Sequence, residues 1–221
     1  MKVNEEPDPR TDHLVFASPD LVSAVAEIES LLGVTPTPGG SHPDFGTRNA
    51  LVSLGQDCYL EIIGPDPGNS GFQETRPFGI DGLEQSRLVT WAVRERDLDR
   101  RFESSRSRGY DPGHVVSGAR RRPDGEMLEW RLGIHPGFLS PGGDGVVPFL
   151  IDWGSSRHPS ETAVPGCRLE SLKAAHPDPE SILRSLEALE IWLPVSRGPA
   201  ALIATIESPS GRVELSGGRN P

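Results

Sequence analysis

The sequence predicts an α+β fold assembled from tandem strand–helix–strand–strand–strand (βαβββ) units. Three observations carry this prediction. The same order of elements recurs three times, at a spacing of roughly 75–80 residues. An aspartate opens each predicted helix, twice directly after a proline. Connectors rich in glycine and proline separate the units, in a chain of 221 residues that holds 25 Gly and 22 Pro.

The first unit starts with "DHLVFA", a short apolar strand from His13 to Ala17, followed by Pro19-Asp20. Leu21, Val22, Val25, Ile28, Leu31 and Leu32 then recur at helical spacing, and Gly33 stops the helix. "TRNALVSLG" and "CYLEIIG" follow as strands around the turn "GQD". The second unit opens on "RLVTWAVR", enters a helix at Asp97 and leaves it at Gly109. Its three further strands are "GHVVSGARRRPDG", "EMLEWRLGI" and "VVPFLIDWG", with the hairpin-turn signature "RPDG" at Arg122 to Gly125. The third unit is shorter: "CRLESLKAAH", a helix entered at Pro177-Asp178, then "IWLPVSRGP", "AALIATIE" and "RVEL". The expected organisation is a domain over residues 12–155, with units at 12–66 and 86–155. A third unit at 166–216 either completes that domain or dimerises.

Composition narrows the function. A formal net charge of −10 argues against sequence-independent nucleic-acid binding, which needs a basic surface. No apolar run approaches the length of a membrane span, and "MKVNEEPDPRTD" lacks the apolar core of a signal peptide. Two cysteines, Cys58 and Cys167, make neither a disulfide framework nor a metal–thiolate cluster. A cytoplasmic protein is expected. No P-loop, dinucleotide-binding GxGxxG, HExxH or GxSxG motif is present.

One residue stands out. Glu61 lies in the apolar strand "YLEIIG" between Leu60 and Ile62. An unpaired carboxylate in a core costs several kcal/mol, so a buried Glu61 needs a cation, a metal or a raised pKa. The alternative is that Glu61 points to solvent while its neighbours point inward.

A tandem βαβββ organisation with "DHLVF", the Pro-Asp helix start, "GGSHPDFGTRNAL", "YLEIIGPDP" and "PFLIDWG" resembles the vicinal oxygen chelate superfamily, and within it the glyoxalase-like domain proteins. The resemblance implies that two units pair into a cup-shaped curved sheet, with metal ligands on the first and last strands of each. Aligning the helix starts Asp20 and Asp97 sets Thr90 against His13, and aligning "YLEIIG" with "FLIDWG" sets Asp152 against Glu61. The implied metal set is His13, Glu61 and Asp152, with Thr90 a poor ligand; pairing of the first and third units would bring in Glu214 instead of Asp152. Such a set suits Fe, Mn, Ni, Co or Zn acting as Lewis acid on a small molecule with vicinal oxygens. The implied reaction is of lyase, isomerase or dioxygenase type. Glu61 and His42 are the candidate catalytic residues, and Asn49, Trp91 and Trp153 the candidate substrate contacts.

Each residue also has a plainer reading. His13 could be a strand-entry residue bonded to backbone, Asp152 a partner of Arg131 or Arg122, His42 a loop cap, and the tryptophans core filling. His158 and His176 are expected at the surface, and Arg120 to Arg122 on a solvated turn. A different class of function also fits: the bleomycin-resistance branch uses the same cup to sequester a small molecule without metal. A small-molecule ligand is expected on either reading, together with a possible homodimer and no nucleic-acid or membrane partner.

Overall fold

A computed structural model describes residues 6–122, 125–134 and 142–217. The first unit comprises β1 (Thr11–Ala17), α1 (Leu21–Leu32), β2 (Thr37–His42), β3 (Thr47–Ser53) and β4 (Tyr59–Pro65). The second comprises β5 (Arg87–Arg94), α2 (Leu98–Ser107), β6 (His114–Arg121), β7 (Met127–Ile134) and β8 (Phe149–Asp152). The third comprises β9 (Arg168–His176), α3 (Pro179–Ala188), β10 (Val195–Arg197), β11 (Ala201–Ser208) and β12 (Gly211–Ser216). The "RPDG" turn falls partly outside the described residues.

Each predicted opening aspartate is a helix N-cap. Asp20 accepts from the Val22 amide at 3.0 Å, Asp97 from the Arg100 amide at 3.1 Å and Asp178 from the Ser181 amide at 3.2 Å. These bonds satisfy amides that the first helical turn cannot. Gly33 ends α1 with φ 71°, its amide bonded to the Glu29 carbonyl at 2.9 Å.

The first two units close into one barrel in the order β1-β4-β3-β2-β6-β7-β8-β5. β1 joins the halves by pairing parallel with β4 and antiparallel with β5. The opposite seam is slight, a single Ser41–Arg121 backbone pairing between β2 and β6. The third unit keeps the strand–helix–strand–strand–strand order but pairs its strands as β10-β9-β11-β12. Its first strand neighbours β10 and β11, whereas β1 and β5 each pair with the last strand of their own unit.

Strand alternation separates two apolar layers. Leu14, Phe16, Leu60, Ile62, Trp91 and Val93 face outward, into a core shared with α1, α2, α3 and the third unit's Leu172, Ala204 and Ile206. Tyr59, Ala92, Trp130, Leu132, Ile151 and Trp153 face the barrel interior. Leu60 and Ile62 therefore point to the outer core while Glu61 points into the barrel, where it is buried. The solvent-facing alternative for Glu61 does not hold. Among the described residues, no helix is long and apolar enough to cross a membrane.

Candidate functional site in the barrel

The barrel encloses a cavity of about 100 Å³, against the roughly 10–15 Å³ that one water requires. Its polar wall comes mainly from the first unit, with His13 on β1, His42 on β2, Thr47 and Asn49 on β3, and Glu61 on β4. The second unit supplies Trp130, Leu132, Phe149, Ile151 and Trp153, together with Thr90 and Arg120.

His13 is oriented by its sequence neighbour. The β1–β5 register slips between Thr11 and His13, so that Asp12 is an extra residue of a bulge. The bulge turns two consecutive side chains toward each other, and His13 Nδ1 lies 2.7 Å from Asp12 Oδ1. Asp12 has no exposed surface, and its carboxylate also receives Trp153 Nε1–H at 3.1 Å and faces His158 Nε2 at 3.1 Å. Burial pushes the Asp12 pKa up, but the hydrogen bonds from His13 and His158 outweigh it and hold the group at about 2. A buried carboxylate that stays ionised requires donors, so His13 carries its proton on Nδ1. Nε2 then faces the cavity, 3.9 Å from Glu61 Oε2, too far for a direct hydrogen bond. Tyr59 stacks on the ring, with centroids 4.6 Å apart.

The second chain of contacts runs through Asn49. Its amide nitrogen donates to Glu61 Oε1 at 2.6 Å and lies 3.5 Å from His42 Nε2, while His42 Nδ1 reaches Thr47 Oγ1 at 3.1 Å. Burial pushes the His42 pKa down to about 4, an effect reinforced by Arg120 and opposed by Glu61 and Asp66. His42 is therefore neutral at neutral pH. Gly39 makes this arrangement possible, since a Cβ there would stand 2.1 Å from Asn49 Oδ1.

Of the residues expected from the sequence, the cavity gathers His13, His42, Asn49, Glu61 and Trp153. Trp91 is not among them. It lies on the outer face of β5 and donates Nε1–H to the Val146 carbonyl at 2.8 Å, because Thr90 and Ala92 on either side take the inner face. Asp152 also lies elsewhere, accepting from the Gly154 amide at 2.8 Å and paired in register with Arg131. The pairing shows why: Val15 sits opposite Glu61 and Ala92 opposite Phe149. Since Val15 follows His13 by the two residues that separate Ala92 from Thr90, Phe149 is the counterpart of Glu61. The alignment of "YLEIIG" with "FLIDWG" was three residues out of step. Glu214 sits on exposed β12, in the separate sheet.

Three residues outside the expected set belong to the site. Asp12 carried no signal beyond its place before His13. His158 is buried against Asp12 instead of lying at the surface. Arg120, assigned to a solvated turn, is 4% exposed and donates to the Gly39 carbonyl.

Among the described residues, no group of three or more His, Cys, Asp or Glu side chains is arranged to hold a metal ion. His13 and Glu61 are two plausible metal ligands, but their counterparts Thr90 and Phe149 offer a hydroxyl and a phenyl ring. This donor set does not fit a centre held by three or four protein ligands.

Comparison with known proteins agrees with the architecture. A search of curated proteins found no match. A hypothetical protein from Staphylococcus aureus superposes with a TM-score of 0.60 at 13% identity, covering 92% of this chain and 84% of its own. Methylmalonyl-CoA epimerase from Mycobacterium tuberculosis aligns with a TM-score of 0.41 at 22% identity, over 70% of this chain and 93% of that one. The Streptomyces coelicolor epimerase in complex with 2-nitronate-propionyl-CoA gives 0.42 at 19% identity, over 68% and 98%. The family model described as "Glyoxalase-like domain" matches residues 11–190. The chain belongs to the glyoxalase-like domain family.

Proposed function

We propose that the barrel cavity is the active site of an acid–base enzyme that removes and returns a proton on a bound small molecule, a reaction of isomerase or lyase type. The observation that carries this reading is the Asp12–His13 pair. Asp12 fixes the imidazole with its Nε2 lone pair directed into the cavity, and Glu61 Oε2 stands 3.9 Å away. A positioned imidazole backed by a buried carboxylate is a general base whose orientation is set before substrate arrives. Glu61, steadied by Asn49, is the second group able to hold a proton at the same place. His42, neutral and bonded to Thr47, stabilises Asn49 and does not itself exchange protons near neutral pH.

The divalent metal that the family resemblance implies would have to bind through His13 and Glu61 and draw its remaining ligands from substrate or water. The side-chain chemistry above stands without it. A second reading, ligand sequestration, draws support from the aromatic wall of Phe45, Phe78, Trp130, Phe149 and Trp153.

The test uses purified untagged protein, assayed for metal by elemental analysis and incubated in D2O with a panel of small carbonyl compounds. Deuterium incorporation by wild type, reduced at least 100-fold in both His13→Gln and Glu61→Gln, supports the enzyme. Stoichiometric metal lost from both variants would make the pair a metal site. Tight binding of a panel member, with neither exchange nor metal, would favour sequestration.

A further inference from the structure

The connector between β4 and β5 carries a strained aromatic residue. In the 3-10 segment Pro77–Gly82, Phe78 has φ 62° and ψ 16°, and Gly79 follows at φ 68° and ψ 21°. Glycine takes this left-handed conformation freely, whereas a bulky side chain there is a genuine outlier. Among the described residues, the other non-glycine positions with positive φ are Asp57, Asp144 and Glu190, all polar. Strain of this kind persists only where the surroundings over-determine it.

Here the surroundings do so. Pro77 and Ile80 are buried, and Ile80 packs with Val15, Ala17, Ile63 and Val89. Arg76 and Asp81 clip the two ends of the loop together. The Arg76 amide donates to Asp81 Oδ2 at 2.8 Å, and Arg76 Nη1 donates to Asp81 Oδ1 at 2.6 Å. Arg76 is itself fixed, with Nε donating to the Gly46 carbonyl at 2.9 Å and the guanidinium 5.5 Å from the Phe72 ring centroid. Between these anchors Phe78 is half-buried and lines the cavity, its ring 5.9 Å from that of Phe149. Phe45, Tyr110 and Phe149 are half-buried lining residues too, so these rings mark where the cavity meets solvent.

We propose that residues 76–81 form a gate on the cavity. The Arg76–Asp81 clip holds Phe78 left-handed with its ring across the mouth. Breaking the clip lets the backbone relax to an ordinary conformation and the ring swing away. The strain at Phe78 opposes the two charge-assisted bonds of the clip, which brings the open state within thermal reach. The gate serves a cavity that turns over its ligand and one that only holds it.

Two comparisons test this, both in a Trp192→Phe background, because Trp192 is 50% exposed and would dominate the quenching signal. The first reads the backbone. Alanine stabilises an ordered segment more than glycine does, and the order reverses where φ is positive. Phe78→Gly should therefore melt roughly 2–4 °C above Phe78→Ala. Equal melting, or a higher value for Phe78→Ala, would overturn the inference. The second reads the gate through acrylamide quenching of Trp130 and Trp153 at the cavity wall, with Trp91 fully buried and silent. Phe78→Ala should raise the quenching constant by about 2-fold or more, and Asp81→Ala, with Phe78 intact, should raise it by a similar factor. Asp81 is exposed, so the fold survives its loss. The double variant should match Phe78→Ala, because the clip acts only through the ring. No rise in Phe78→Ala would show that the ring does not bar the mouth. No rise in Asp81→Ala, or additive rises in the double variant, would show that the clip does not hold the ring. Either result overturns the gate.

Discussion

Acidification should unlock the cavity wall through His42, and the size of the effect follows from its burial. In the unfolded chain an imidazole titrates near 6.5, whereas burial holds His42 at about 4 in the fold. Its folded proton affinity is lowered, so the unfolded state takes up a proton first as pH falls. Stability is therefore constant above about pH 6.5, declines as pH drops from there, and levels off below about 4. Each tenfold difference in proton affinity is worth about 1.4 kcal/mol, so the whole window amounts to about 3 kcal/mol, most of it lost by pH 4.5. The ring is held among Thr47, Asn49, the edge-on Trp130 ring and Arg120, whose positive charge further disfavours protonation. Urea unfolding of wild type and His42→Asn at pH 7 and pH 4.5 isolates the contribution. The variant should start less stable but lose about 2–3 kcal/mol less than wild type on acidification. Equal losses in both proteins would refute the assignment of a buried neutral imidazole.

Further substitutions probe the same framework. Gly39→Ala, which sets a Cβ 2.1 Å from Asn49 Oδ1, should cost about 1–3 kcal/mol by displacing the amide, and chemical denaturation measures it. Asp12→Asn removes the buried charge that three ring N–H groups share and should destabilise by roughly 3 kcal/mol. Because it releases the His13 tautomer, it should also lower proton-exchange activity more than His158→Gln does, a ranking that steady-state exchange rates check. Trp153→Phe deletes the indole donor to Asp12 at 3.1 Å and part of the ring that packs on Trp130 and His158, and should cost about 1–3 kcal/mol, with little change in the far-ultraviolet circular dichroism.

The helices were legible because each announces itself locally: Asp20, Asp97 and Asp178 cap them, and Gly33 terminates α1. β1, β4 and β5 were legible as apolar runs bounded by turns. β2 was not, because "TPGGSH" carries two glycines and a proline and holds its place through β3 and one pairing to β6. The inward direction of Glu61 needed knowledge that a second apolar layer, partly built from the third unit, covers the outside of β4. Trp91 was decidable in principle, since an inward Thr90 forces it outward. The place of Asp152 depended on inter-strand register, which sequence similarity between two short apolar strands does not fix. Asp12 meets His13 only because a bulge breaks strand alternation, and His158 arrives from a connector 146 residues away. Long-range contacts of that kind leave no local trace.

The base assigned to the cavity requires that His13 carry its proton on Nδ1. Long-range 15N–1H correlation spectra of the histidine side chains near neutral pH, with His13 assigned through His13→Gln, read this directly. The Asp12 contact at 2.7 Å predicts a proton on Nδ1, and the proposed base requires Nε2 bare, with Asp12→Asn shifting the tautomer balance. A ring protonated on Nε2, insensitive to Asp12, would contradict the base assigned to this cavity.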